Sequence, residues 1–136
     1  MKIALIQMSV TGNKNANIQT AAEKLREAKR RDADVAVLPE MFCCPYDNAC
    51  FRAYGEEWNG AAQRALSAAA QELSLIVVGG SIPELDGGRI YNTSFVYDRD
   101  GSLLARHRKA HLFDIDVAGG QRFRESDTFS PGGEIT

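Results

Sequence analysis

Two short stretches of this chain put acid-base side chains where a strand ends. The first is Pro39-Glu40, directly after the apolar run Val35-Ala36-Val37-Leu38. A strand end can project a side chain into a crevice, and Pro39 fixes its own φ, which stiffens the approach to the Glu40 carboxylate. Taken alone, Glu40 reads as a solvated loop glutamate rather than a catalytic one. The second stretch is Arg106-His107-Arg108-Lys109-Ala110-His111-Leu112-Phe113-Asp114-Ile115-Asp116, dense in polar groups immediately after a strand-like run. Three chemistries are open to it. His107, His111, Asp114 and Asp116 are metal-ligand types, although no helix is expected there to bring the two histidines onto one face. A nucleic-acid patch would be short, and Asp114 and Asp116 offset its charge. As a catalytic loop, the stretch offers Lys109 as a fixed positive charge beside a developing oxyanion.

The elements that must position these groups follow from hydrophobic period and turn chemistry. Lys2 to Gln7 reads as a buried strand, with a turn at Thr11-Gly12-Asn13. A helix follows, capped by Asn15 or Asn17, with Ile18, Ala21, Ala22, Leu25 and Ala28 on one face. Val35 to Leu38 forms the second strand, which Pro39 ends or places at an edge. Glu40 to Trp58 reads as a long loop with a short helix near Asp47 to Tyr54. From Asn59 helical period returns through Ala62, Ala65, Leu66, Ala69, Ala70 and Leu73, leading into a strand at Leu75 to Val78. An extended piece at Ser81 to Leu85, a turn at Asp86-Gly87-Gly88 and a strand from Ile90 to Tyr97 come next. Asp98-Arg99-Asp100-Gly101 joins that strand to another at Ser102 to His107, a hairpin signal. The pattern predicts an α/β fold with a mixed sheet covered by helices on one face. Ser130 to Thr136 reads as a turn leading into a strand that is cut off after its first residues.

Composition narrows the function classes. Hydrophobic residues at 44% and charged residues at 25% are close to globular averages, which excludes disordered and fibrous classes. Sixteen basic and 18 acidic residues, mixed along the chain, leave a formal charge of -2 and no footprint for nucleic acid or an anionic membrane. The first apolar run is too short for a signal-peptide core or a membrane span, so the expectation is a cytoplasmic protein. Cys43, Cys44 and Cys50 are odd in number and crowded, which fits reduced, packed thiols better than disulfides or a zinc site.

The separate signals gain meaning as an ordered set. Leu38-Pro39-Glu40-Met41-Phe42, Pro45-Tyr46, Gly79-Gly80-Ser81-Ile82-Pro83-Glu84, Tyr91-Asn92-Thr93 and Arg108-Lys109-Ala110-His111-Leu112-Phe113-Asp114 together resemble the nitrilase superfamily of carbon-nitrogen hydrolases in order and spacing. Lys-x-His-Leu-Phe-Asp-Ile-Asp with Phe123-Arg124-Glu125-Ser126 resembles its omega-amidase branch, and the resemblance covers essentially the whole chain. It implies the N-terminal half of an α-β-β-α four-layer sandwich, with residues 1–136 forming part of a single domain that is incomplete at its C-terminus. It also implies a Glu-Lys-Cys triad in which Glu40 matches the general base and Lys109 the catalytic lysine. Glu125 matches an additional glutamate that positions lysine and substrate. The cysteine of the family lies beyond the turn that Pro131-Gly132-Gly133 resembles, so the chain is expected to be inactive alone.

Phe42 and Tyr46 are expected to line the acyl pocket, and Tyr91-Asn92-Thr93 to organise local backbone. The implied parent activity is hydrolysis of a small linear amide, with no metal or organic cofactor, in a homodimer or higher homo-oligomer. The alternative is a catalytically dead short homologue acting as a binding or assembly module.

Overall fold

In the computed structural model, which describes residues 1–134, the first helix is started by a residue that the sequence reading leaves in a turn. Asn13 caps α1 (Lys14–Arg30), its side-chain oxygen accepting the Ala16 N–H at 3.0 Å. The expectation of a cap at Asn15 or Asn17 is corrected. Asn17 is buried instead, and it ties down the preceding loop by accepting the Thr11 N–H at 2.9 Å and donating to the Thr11 carbonyl at 2.7 Å. Ala21, Leu25 and Ala28 complete the buried stripe, and Lys29 and Arg30 in the last turn complement the helix dipole.

Three short parallel strands follow one another across the sheet: β1 (Ile3–Leu5), β2 (Val35–Val37) and β3 (Ile76–Val78). The short α2 (Asn48–Tyr54), capped by Asp47, and α3 (Ala61–Leu73) separate β2 from β3. After β3 the chain turns antiparallel through β4 (Ile82–Asp86), β5 (Arg89–Tyr97) and β6 (Leu103–Arg108). The long β5 organises this half. Val96 pairs with both Val78 and Ala105, and Thr93 with both Ile82 and Arg108, so β3 and β4 share one edge of β5 while β6 takes the other. Six strands thus form one mixed sheet.

The two faces of that sheet differ. Ala36, Val77 and Phe95 are buried under α1 and α3, which pack side by side. The alternate positions form a second row, Leu5, Val37, Val78, Val96 and Ala105, on a face left partly open, and Leu5 is 79% exposed. Helices on one face match the expectation from sequence.

Beyond β6 the structure departs from the sequence reading. The segment read only as a polar cluster contains a second, two-stranded sheet of β7 (Asp114–Asp116) and β8 (Arg122–Arg124), closed by a turn with Gly119 at φ 71°. Its strands, Asp-Ile-Asp and Arg-Phe-Arg, are three residues each, too short for their alternation to stand out as a strand signal. A 3-10 turn at Glu125–Asp127 follows. The strand expected at the end of the chain falls on Ile135 and Thr136, outside the described residues.

Candidate active site

Glu40 stands just past the end of β2, and its main chain is held from two sides. Met41 has φ 53°, a left-handed conformation that costs a non-glycine residue about 1 kcal/mol or more. It is buried, and its N–H donates to Ser81 Oγ at 3.1 Å. Gly80, at φ 57°, lies so close to the Pro39 carbonyl that no Cβ could be accommodated. The Gly-Gly-Ser after β3 therefore shapes the backbone that presents Glu40.

Lys109 follows β6 directly and is clamped through its main chain. Its N–H donates to the Asn92 carbonyl at 2.8 Å, and its carbonyl accepts the Gly132 N–H at 2.9 Å. Gly132 packs against the Arg108 carbonyl without room for a side chain. The strand end is braced further by buried Glu84, which accepts Arg108 Nε at 2.9 Å and Thr93 Oγ1 at 2.8 Å and pairs with Arg106 at 3.2 Å. The Arg108 guanidinium also lies 3.8 Å over the Tyr91 ring.

These two backbones bring the side chains together. Lys109 Nζ lies 3.0 Å from Glu40 Oε1 and 2.9 Å from Glu125 Oε2, across separations of 69 and 16 positions in the chain. Glu125, the first residue of the 3-10 turn, is fully buried, so its charge must be matched from within. Its Oε1 accepts the Tyr46 hydroxyl at 2.6 Å and Asn92 Nδ2 at 3.3 Å. Oε2 accepts the Phe113 N–H at 2.5 Å besides Lys109. Burial pushes the Glu125 carboxyl upward, but Tyr46, the Phe113 N–H and Lys109 outweigh it and hold the group below the usual carboxylate range. Burial likewise lowers Lys109, and its bonds to Glu125 and Glu40 overcome that and raise it. Burial and the two neighbouring carboxylates push the Tyr46 phenol up, so it stays a donor. At neutral pH the cluster holds one ammonium and a saturated carboxylate.

Glu40 is bound differently. Among the described residues its donors reach Oε1, Asn92 Nδ2 at 2.7 Å and Lys109 at 3.0 Å; the Tyr46 hydroxyl oxygen lies 3.5 Å from the same atom but gives its one proton to Glu125. The side chain is 47% exposed and lines a cleft of about 310 Å³ on the open sheet face, together with Lys109, Asn92, Ser94 and His107. Two donors on one oxygen leave the other with lone pairs for a proton. A proton acceptor, a fixed cation and an open cleft meet there.

The other sequence candidates fall elsewhere. Phe42 has no exposed surface and lies in the hydrophobic core, so it does not line the cleft; it follows Met41, whose left-handed turn leads the chain inward. Tyr46 does reach the site, through its hydroxyl, while its ring packs edge-on against Phe51 and beside Phe123. Cys43 and Cys44 are buried, and burial pushes each thiol up to about 12. Among the described residues no three His, Cys, Asp or Glu side chains gather as a metal site. Asn92, which the sequence reading confines to local backbone, instead bonds both carboxylates. Its signal was an amide side chain in a long strand with apolar and aromatic residues to either side, although Thr93 and Ser94 beside it blunt that signal.

This arrangement can be set beside known proteins. Residues 2–136 match the family model for carbon-nitrogen hydrolases. The chain belongs to the carbon-nitrogen hydrolase family. It is 47% identical over 131 residues to the omega-amidase NIT2 of Bos taurus, covering 96% of this chain and 48% of that protein. A hydrolase of Schizosaccharomyces pombe is 45% identical, with 99% of this chain and 42% of that protein covered. The crystal structure of Saccharomyces cerevisiae Nit3, a member of branch 10 of the nitrilase superfamily, matches with a TM-score of 0.85. There the identity is 39%, over 100% of this chain and 50% of that one. The chain thus spans about half the length of the curated relatives it matches. Its mixed α/β fold is that of a carbon-nitrogen hydrolase, with one sheet and one helical layer of an α-β-β-α sandwich. Among the described residues no helix is long and apolar enough to cross a membrane.

Proposed function

We propose that these residues supply the acid-base half of an amide-hydrolysing site in which Glu40 is the general base, Lys109 the fixed cation and Glu125 the group that holds Lys109. The observation that carries this is the position of one ammonium, within 3.0 Å of two carboxylates, of which only one opens to the cleft. Glu125 is saturated by four donors and can take no further proton partner. Glu40 keeps an oxygen available.

In the reaction we propose, Glu40 takes the proton of a cysteine thiol, and the thiolate attacks the carbonyl carbon of a small linear amide. The total charge of the cluster is unchanged by that transfer, because the negative charge passes from Glu40 to sulfur beside Lys109. The tetrahedral oxyanion then draws on Lys109 and a backbone N–H. As the C–N bond breaks, Glu40 returns the proton to nitrogen and ammonia leaves, with the acyl group held as a thioester. Water attacks the thioester while Glu40 accepts its proton; the C–S bond then breaks, Glu40 returns the proton to sulfur, the carboxylic acid product leaves, and the Glu40 carboxylate and the thiol are restored. Cys43 and Cys44 are poor nucleophile candidates, being buried and protonated at neutral pH. Cys50 lies in α2 and is not among the residues that line the cleft, so the third member of the triad is proposed to come from sequence beyond Thr136.

The omega-amidase relatives support a dicarboxylic monoamide, such as succinamate or a 2-oxo acid amide, as substrate. The proposal includes a cytoplasmic homodimer or higher homo-oligomer without a cofactor, on the strength of the resemblance. The test is ammonia release from these amides. The 136-residue chain is expected to give none above a no-protein blank, and the enzyme extended to its cysteine is expected to turn over. Turnover by the short chain would refute the missing-nucleophile reading. An inert extended protein would favour the dead-homologue alternative.

A further inference from the structure

Asn92 bonds both carboxylates of the site through its side chain and the main chain of Lys109 through its carbonyl. Its Nδ2 lies 2.7 Å from Glu40 Oε1 and 3.3 Å from Glu125 Oε1, and its carbonyl takes the Lys109 N–H at 2.8 Å. Ionised carboxylates only accept hydrogen bonds, so the amide must present its NH2 end to them, and the partners fix its orientation. The residue is 3% exposed and belongs to β5, where β4 pairs with it on one side and the Lys109 N–H bonds its carbonyl on the other. It is therefore as rigid a donor as this sheet can offer.

Glu40 and Glu125 share one lysine, and their mutual repulsion would drive Glu40, the exposed member, away into the cleft. Two N–H bonds from one amide oppose that by joining the carboxylates through the same nitrogen. We propose that Asn92 is a positioning residue that pins Glu40 through Oε1, so that Oε2 is the oxygen that exchanges the proton with thiol, leaving group and water. This inference rests on Glu40 acting as the general base. Without the amide, Glu40 keeps only Lys109 and the longer contact to Tyr46, and its carboxylate can rotate to offer either oxygen.

The test compares Asn92→Leu, which keeps the volume but removes both donors, with Asn92→Ala and Glu40→Gln, all in the extended enzyme. If Asn92 positions the base, Asn92→Leu lowers kcat about 10- to 100-fold, the loss typical of hydrogen bonds to a charged group, with KM changing less than about threefold. Asn92→Ala falls as far, because restoring bulk does not restore donation. If Asn92 only fills space, Asn92→Leu recovers parent activity and the inference is overturned. A readout that needs no Asn92 variant is the side-chain NH2 resonance of Asn92, which must shift in Glu40→Gln; no shift also overturns it. Parent-like turnover by Glu40→Gln would instead remove the base assignment itself. An inactive Glu40→Gln beside a fully active Asn92→Leu would remove only the role of Asn92.

Discussion

Lys14 with Glu56, and Lys109 with Glu40 and Glu125, form lysine-glutamate contacts of similar length, and their surroundings give them opposite uses. Lys14 Nζ lies 2.8 Å from Glu56 Oε1 and also donates to the Tyr54 carbonyl at 2.6 Å. Both Glu56 oxygens sit 3.0 Å from the Ala62 N–H, so this carboxylate caps α3 in place of Gly60, which has no side chain to do so. Cys43 is close enough to feel both charges, yet burial pushes its thiol up to about 12. Here a glutamate, a lysine and a cysteine gather, and the result is a brace. At the cleft, Lys109 and Glu125 are equally well bonded, but Glu40 is 47% exposed and its donors crowd one oxygen. Residue types alone do not distinguish the pairs; an unsatisfied oxygen facing open space does.

If that contrast is right, the two lysines fail differently. Lys109→Ala in the extended enzyme is expected to lower kcat by about 100- to 1,000-fold or more, the scale of one lost oxyanion donor, and to destabilise the fold by about 3 kcal/mol as well, since it strands the buried Glu125 charge. Lys14→Met is expected to leave kcat near that of the parent and destabilise the fold by about 3 kcal/mol, since it strands the buried Glu56 charge. Parallel kinetics and denaturant melts on both variants check this, and a reversed pattern would exchange the two assignments.

Gly132→Ala probes the support rather than the charge. A Cβ there meets the Arg108 carbonyl, so the backbone carrying Lys109 must shift. A displacement near 1 Å in catalytic geometry costs up to about 100-fold, and a fall of about tenfold or more in kcat is expected, with the α1 and α3 amides unmoved in NMR spectra.

The pH dependence of stability separates the regions more gently. Glu125 has its value lowered by folding, so its contribution is present above the ordinary glutamate range and is lost as pH falls through the folded value. Lys109 is raised, so its contribution is full below the ordinary lysine value and is lost only as pH climbs past the folded one. The stability gap between the parent and Glu125→Gln should therefore narrow on acidification, as read by thermal melts across the acid range. The smallest expected effect is chemical: Cys43 and Cys44 should resist alkylation at neutral pH until the chain is unfolded, as followed by intact mass.

Much of the α/β order was legible because its signals are local. The stripe of Ala21, Leu25 and Ala28, the apolar runs of β2 and β3, and the Asp-Gly turns each lie within a few residues. The site was legible only in part. Glu40, Lys109 and Glu125 were reached through resemblance, since nothing local says that positions so far apart share one ammonium. Asn92 was missed because its donors cross 52 positions to Glu40 and 33 to Glu125. Phe42 was misplaced because the sequence does not reveal that Met41 turns left-handed and directs the next residue into the core. The Asn13 cap was displaced by two to four positions, because three asparagines, Asn13, Asn15 and Asn17, compete within five residues and burial of Asn17 is a tertiary fact.

The most direct measurement is intact-mass detection of an acyl adduct after rapid quenching of the extended enzyme with an amide substrate. The account predicts an adduct on a cysteine beyond Thr136 in the parent and none in Lys109→Ala or Glu40→Gln. An adduct on Cys43, Cys44 or Cys50, or acylation at the parent rate without Lys109, would contradict it.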